Sequence, residues 1–270
     1  MKTSTAPKVE WDYTEHAAHY DKRADYSHDA IRDLLTSIGC TPDKPVAEVG
    51  AGTGKLTKEL LSHGLTVRSV EPNDAMRDIG IKNTRGKPVI WSVGTGEATG
   101  LPARCFYAVL FGSSFNVVNQ SAALAEAARV LLPGGWFGCM WNHRNLDDPI
   151  QQKIESIIKA RIPSYSYGSR REDPTAVIQS SGLFTAARSI EGTFNWQMST
   201  SDILIAWKSH ATLKRQTGSD AAFDRIIEDI STYLAGLATV ISVPYTTRIY
   251  FAQLTDTRIE HKTPSSSKKA

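Results

Sequence analysis

Between Pro45 and Asn142, short apolar runs alternate with stretches whose apolar positions recur at helical spacing. That is the pattern of strands interleaved with amphipathic helices. The predicted strands cover residues 46–49, 66–71, 88–93, 107–111 and 136–142, and the predicted helices cover residues 55–63, 74–81 and 121–131. Such alternation implies an α/β domain built on a parallel sheet. The last of these helices has Ser121 at its N-cap and Pro133-Gly134-Gly135 just beyond its end. Ahead of the block, residues 10–39 read as two short helices. Behind it come a helix at 149–162, a strand at 185–197, helices at 199–210 and 221–237, and a final strand at 243–254. The two late strands are separated by more than 40 residues, far beyond a hairpin loop, so the helices between them read as a cap over a ligand.

The chain has 270 residues, 41% of them hydrophobic and 22% charged, which suits one α/β domain with an inserted cap and excludes disorder of its bulk. Its formal charge of +3 arises from 31 Lys and Arg against 28 Asp and Glu, and Lys262, Lys268 and Lys269 sit in the last ten residues without an acid. The body is therefore balanced and lacks the basic stripe that nucleic-acid binding requires. Cys40, Cys105 and Cys139 are odd in number and widely spaced, which fits a reducing compartment. No signal-peptide pattern and no long uncharged run is present, so a cytoplasmic protein without a membrane partner is expected.

The strongest local signal is Val46-Ala47-Glu48-Val49-Gly50-Ala51-Gly52-Thr53-Gly54-Lys55, a strand entering three alternate glycines and then a helix. Glycines let the backbone turn tightly and approach a ligand closely, and the helix amides that follow favour a negative group. A phosphate-binding P-loop is excluded, since it needs Gly where Val49 stands and Ser or Thr where Leu56 stands. The dinucleotide fingerprint G-x-G-x-x-G would need Gly where Lys55 stands, which argues against, without excluding, a nicotinamide-dependent oxidoreductase.

The E-x-G-x-G-x-G turn at Glu48–Gly54 resembles that of class I S-adenosylmethionine-dependent methyltransferases. Four further stretches agree: Glu71 at the end of the second strand, Pro72-Asn73-Asp74-Ala75-Met76 after it, Gly94-Thr95-Gly96-Glu97, and Glu126 to Gly135. Together they cover about a third of the chain. Ala17, Tyr20, Asp21, Arg23 and Tyr26 are similar to the lid of small-molecule enzymes of the ubiquinone-biosynthesis and trans-aconitate-methyltransferase-like group, and residues 244–248 match its last strand more weakly.

The resemblance implies a Rossmann-like, seven-stranded, mostly parallel sheet with an antiparallel last strand. It divides the chain into an N-terminal lid at 1–40, a methyltransferase domain at 41–260 with helical caps near 149–180 and 199–240, and a tail at 261–270. It further implies S-adenosyl-L-methionine as cofactor, held by Tyr20, Arg23, Glu48, Gly50, Ala51, Gly52, Gly54, Glu71, Pro72, Met76, Gly96, Glu97 and Ser113. Glu71 would accept the ribose hydroxyls and Met76 would pack on adenine. The partner would be a small-molecule acceptor.

Asn116 stands where related enzymes often carry a His, and His143 follows the fifth strand at the sheet edge where α/β folds bind ligands. These two are the candidates for handling the acceptor, Asn116 by orientation and His143 by proton transfer. His16 and His19 are three residues apart without a third ligand at motif spacing, so no metal is expected. Besides the oxidoreductase, a nucleoside-binding protein that does not methylate is the remaining alternative.

Overall fold

The computed structural model describes residues 23–167 and 172–255. Tyr20 and most of the expected lid lie outside the described residues. Seven strands form one sheet: β1 (Val46–Val49), β2 (Val67–Val70), β3 (Val89–Ser92), β4 (Phe106–Gly112), β5 (Leu131–Arg144), β6 (Arg188–Ser199) and β7 (Val240–Gln253). Their order across the sheet is β3-β2-β1-β4-β5-β7-β6. The strands from β3 to β5 pair in parallel, while β7 runs antiparallel to both β5 and β6. The expected Rossmann-like architecture is therefore the observed one. Strand order reverses between β1 and β4, so the chain leaving each diverges and opens a crevice at their carboxyl ends.

Nine α-helices are described: α1 (His28–Ser37), α2 (Lys55–Ser62), α3 (Asp74–Asn83), α4 (Gln120–Val130), α5 (Pro149–Arg161), α6 (Thr175–Ser180), α7 (Thr200–Lys208), α8 (Ala211–Thr217) and α9 (Asp220–Ala235). All four residues of β1 are buried, as a central parallel strand covered on both faces demands. The period of two then sorts side chains between faces. Val46, Ala108 and Leu110 join a core with Ile31, Leu34, Leu56 and Leu60 of α1 and α2. Ala47, Val49, Val109 and Phe111 join the opposite core with Ala123, Leu124 and Ala127 of α4. A third core gathers Ile154 and Ile158 of α5, Ile203 and Trp207 of α7, and Phe223, Ile226 and Ile230 of α9 over the far ends of β6 and β7.

Several local expectations change. The N-cap of α4 is Asn119, whose side chain accepts the Ala122 N–H at 3.1 Å, rather than Ser121. β5 begins at Leu131 because its register with β4 jumps from Leu131 to Trp136, leaving Pro133-Gly134-Gly135 as a bulge with Gly134 at φ +70°. Helices α6 and α8 were not expected. α6 has only six residues and several β-branched ones, and α8 is capped by the imidazole of His210, which accepts from Leu213 N–H at 3.1 Å, a cap without a common sequence signature. Among the described residues no helix is long and apolar enough to cross a membrane.

Candidate functional site

The turn after β1 is built on left-handed backbone: φ is +69° at Gly50, +56° at Gly52 and +83° at Gly54, which is the N-cap of α2. Only glycine adopts this conformation three times in five residues without strain. The amides of Gly50 and Ala51 both donate to the Val70 carbonyl, at 2.9 and 3.0 Å, which anchors the turn to the end of β2. There Glu71 accepts the Gly52 N–H at 2.8 Å and the Asn73 N–H at 2.9 Å. Burial raises the Glu71 carboxyl above its ordinary value, and these two amides oppose the rise. Met76 is buried with its methyl 3.3 Å from where a Cβ on Gly52 would stand. The acid, the methionine and the turn are thus one packed unit.

Glu48 lies beneath the turn, almost fully buried. It accepts the Thr57 hydroxyl, which also meets Ser69 Oγ at 2.9 Å. Burial pushes its carboxyl up to about 8, and the nearby Glu71 charge adds to the rise. Glu48 is accordingly a proton-bearing acid at neutral pH.

The loop after β4 forms the other lip of the crevice. Ser113 holds φ +59°, unusual for a residue with a Cβ, and its hydroxyl meets Tyr26 Oη at 2.9 Å. Ser114 Oγ donates to Val49 O at 2.7 Å. The segment ahead of α1 crosses this lip. Asn142 of β5 donates to the carbonyls of Ala24 (3.2 Å) and Asp25 (2.7 Å) while accepting from Thr247 Oγ at 2.6 Å. The same Thr247 hydroxyl accepts the Ser27 N–H at 2.8 Å. Asp25 pairs with Lys55 at 2.7 Å, and Arg23 donates to the Ser209 carbonyl beyond α7 at 2.7 Å. Residues 23–27 are in this way stitched to the sheet, to α2 and to the helical cap.

These parts bound a cavity. Of the expected site residues, Arg23, Glu48, Gly50, Ala51, Gly52, Ser113 and His143 line it. Gly54 packs beside Trp91, whose ring is 3.2 Å from its would-be Cβ. Glu71, Pro72 and Met76 flank the turn from outside the cavity lining.

Gly96 and Glu97 meet the loop after β4. A Cβ on Gly96 would reach Val118 at 2.8 Å, and Glu97 accepts the Asn119 N–H at 2.7 Å, so this acid caps the start of α4. Asn116 is not in the cavity lining: its Oδ1 accepts the Trp141 indole N–H at 2.8 Å. The indole thus holds the amide through its oxygen and orients its Nδ2 group.

Sequence reasoning missed Lys55, Asn142, Arg144, Tyr167, His210 and Tyr245, all of which line the cavity. Arg144 stacks over Trp207 at 4.4 Å and donates to Tyr245 Oη at 3.2 Å. Tyr245 in turn stacks on Phe194 at 5.7 Å. Tyr167 donates to Glu155 at 3.2 Å, and burial raises its phenol well above the usual value. Asn142 and Arg144 flank His143 in sequence and were legible as part of the same strand end. The others come from elements joined only by folding.

Residues 47–139 match the family model described as methyltransferase domain. An uncharacterized methyltransferase of Mycobacterium bovis is 36% identical over 123 residues, covering 46% of this chain and 48% of that protein. A ubiquinone/menaquinone biosynthesis C-methyltransferase of Caulobacter vibrioides is 29% identical over 136 residues, covering 45% of this chain and 53% of that protein. The chain thus spans about half the length of the curated relatives it matches. Among solved structures, the YcgJ protein of Bacillus subtilis superposes with a TM-score of 0.52 at 16% identity, covering 85% of this chain and all of that one. Phosphoethanolamine N-methyltransferase 2 of Haemonchus contortus, in complex with S-adenosyl-L-methionine, gives 0.52 at 13% identity over 92% of this chain and 59% of that one. At these identities the two structures share the fold.

Proposed function

From the match of residues 47–139 to a methyltransferase domain, we propose that the chain is a methyltransferase that transfers a methyl group from S-adenosyl-L-methionine to a small-molecule acceptor. The observation that carries this reading is the left-handed glycine turn with Glu71 bonded to the Gly52 amide and Met76 packed over it. The turn fits the proposed cofactor: Gly50, Ala51 and Gly52 bare their backbone to the cavity, and Glu71 keeps acceptor capacity beyond its two amide bonds. Held there by Gly50, Ala51, Gly52 and Glu71, the cofactor would supply an electrophilic sulfonium methyl group for transfer.

The chain's own residues would then act mainly by holding the acceptor in line and keeping water out, effects worth ~7 to 11 kcal/mol when orientation is good. Tyr26, Tyr167 and Tyr245 give the cavity flat apolar walls, with Arg23, Lys55, Arg144, His143 and His210 among them. The acid in that lining is Glu48, which burial keeps protonated near neutrality. With Lys55 paired to Asp25, Arg23 and Arg144 are the cations set against Glu48 among the described lining residues, which favours an acceptor with an anionic group on a flat skeleton. An anionic nucleophile requires no strong base, so His143 is read as a wall and hydrogen-bonding group. The segments around α5 and α7 to α9 serve as the cap.

Titration calorimetry with adenosylmethionine, its demethylated product and NAD tests the cofactor. Binding of the first two and not of NAD is expected, and the reverse order overturns the proposal. Transfer of a labelled methyl to a panel of flat carboxylates and phenolates, set against neutral alcohols of the same size, tests the acceptor class.

A further inference from the structure

Outside the cavity lining, three side chains from two helices converge. His28 opens α1, Glu59 lies in α2 and His63 is the C-cap of α2. His28 Nδ1 is 2.6 Å and His63 Nε2 is 3.1 Å from the same oxygen, Glu59 Oε1. The two imidazoles lie face to face, with centroids 4.3 Å apart and planes inclined by 14°. One ligand atom from each of the three residues falls within 4.8 Å of the other two. Glu59 and His63 are largely buried at 15% and 13% side-chain exposure, whereas His28 is 61% exposed and leaves the cluster open to solvent.

We propose that His28, Glu59 and His63 form a binding site for one divalent transition-metal ion of the zinc class, separate from the cavity and independent of the methyl-transfer reading. Two imidazole nitrogens and a carboxylate oxygen are the donor set such ions prefer over magnesium or calcium. Tetrahedral coordination at ~2.0 to 2.2 Å needs donor atoms slightly over 3 Å apart. The His63–Glu59 contact already has that span, and the His28–Glu59 contact must open by about half an ångström from its 2.6 Å. His28 is exposed on the first turn of its helix, so it has room to make that adjustment. Solvent would complete the fourth position.

Without an ion the shared carboxylate oxygen takes the imidazole N–H groups, so loading requires each ring to turn a lone pair to that position, by tautomer exchange in a neutral ring or by proton loss in a charged one. Arg32, one turn along α1, is a neighbouring cation, and Asp29 at 2.5 Å and Asp33 at 3.2 Å both pair with it.

The position gives the ion a structural consequence. His28 directly follows the stitched segment of residues 23–27, and α2 begins at Lys55 on the cavity wall. Asp25 and Lys55 already tie these two elements at 2.7 Å. A metal at His28, Glu59 and His63 adds a second tie one to two turns away, clamping the root of α1 onto the helix that carries the glycine turn.

The test is titration calorimetry of the full chain with Zn2+ and, separately, with Mg2+, followed by the same titrations of Glu59→Gln, His63→Ala and His28→Ala, each checked for an unchanged circular dichroism spectrum. One Zn2+ per chain, no heat with Mg2+, and a loss of Zn2+ affinity of ~10-fold or more in each variant are expected. Because His28 is exposed, His28→Ala keeps the test open even if a variant at a buried position misfolds. Amide exchange at residues 28–31 should slow on adding Zn2+ to the parent and stay unchanged in His28→Ala. Zn2+ affinity equal in parent and variants, or binding of Mg2+ as tight as Zn2+, overturns the site.

Discussion

Single substitutions at Gly50 and Gly52 separate a packing role from a ligand role within one turn. At Gly50 a Cβ would stand 2.5 Å from Ser114 Cβ and 2.8 Å from its hydroxyl. That hydroxyl is tied to the Val49 carbonyl at 2.7 Å, so the obstruction adjoins backbone and cannot swing aside. Gly50→Ala therefore combines ~1 to 2 kcal/mol for left-handed backbone with ~1 to 3 kcal/mol for overpacking, roughly 2 to 5 kcal/mol in all.

At Gly52 the nearest atom is Met76 Cε, at 3.3 Å, the free end of a flexible side chain. Gly52→Ala should then lose only the backbone contribution, ~1 to 2 kcal/mol, yet narrow the approach to the turn and reduce adenosylmethionine affinity by ~1.4 kcal/mol or more, a factor of ten. Gly52→Val should abolish that binding while the chain still folds. Urea unfolding measures the first quantity and titration calorimetry the second. Equal stability losses at the two positions, or parental affinity in Gly52→Ala, would refute the division of roles.

Glu71→Gln removes one of two amide contacts to a charged acceptor and should weaken adenosylmethionine binding by ~1.5 to 3 kcal/mol; an unchanged dissociation constant would detach Glu71 from the cofactor. Asn116→Ala strips the Trp141 indole of its acceptor and should cost ~1 to 3 kcal/mol of stability by urea unfolding, with the acceptor's Michaelis constant unmoved; a raised constant at full stability would put Asn116 back in the site. Glu48 keeps its proton to about pH 8 when folded against 4.5 in the open chain. Its contribution is complete below 4.5 and declines as pH rises through 8, so Glu48→Gln should flatten the loss of stability across that window; an identical pH profile would contradict its protonated state. His143→Ala should retain turnover, since an anionic acceptor needs no base; a loss of ~100-fold with cofactor affinity intact would assign it the proton.

Local chemistry carried the sequence reading a long way. Strand-to-helix alternation, the three glycines and the caps are short-range signals, because backbone sterics and hydrogen-bond needs act within a few residues. They place β1 to β5, the glycine turn and Glu71 to within one or two residues, apart from the early start of β5 at Leu131. The fifth-strand end was likewise legible, and His143 lines the cavity.

Pairings between distant segments were not legible. The bond from the Trp141 indole to Asn116, 25 positions away, was not foreseen. Arg144 over Trp207 and the Asp25–Lys55 pair likewise require segments far apart in the chain. The His28–Glu59–His63 cluster shows both halves at once. Glu59 and His63 are four residues apart on one helix face, a spacing readable from sequence, whereas His28 arrives only because α1 and α2 bury their apolar sides in one core. Hydrophobic burial decides which helices touch, and that contact brings the third side chain within reach.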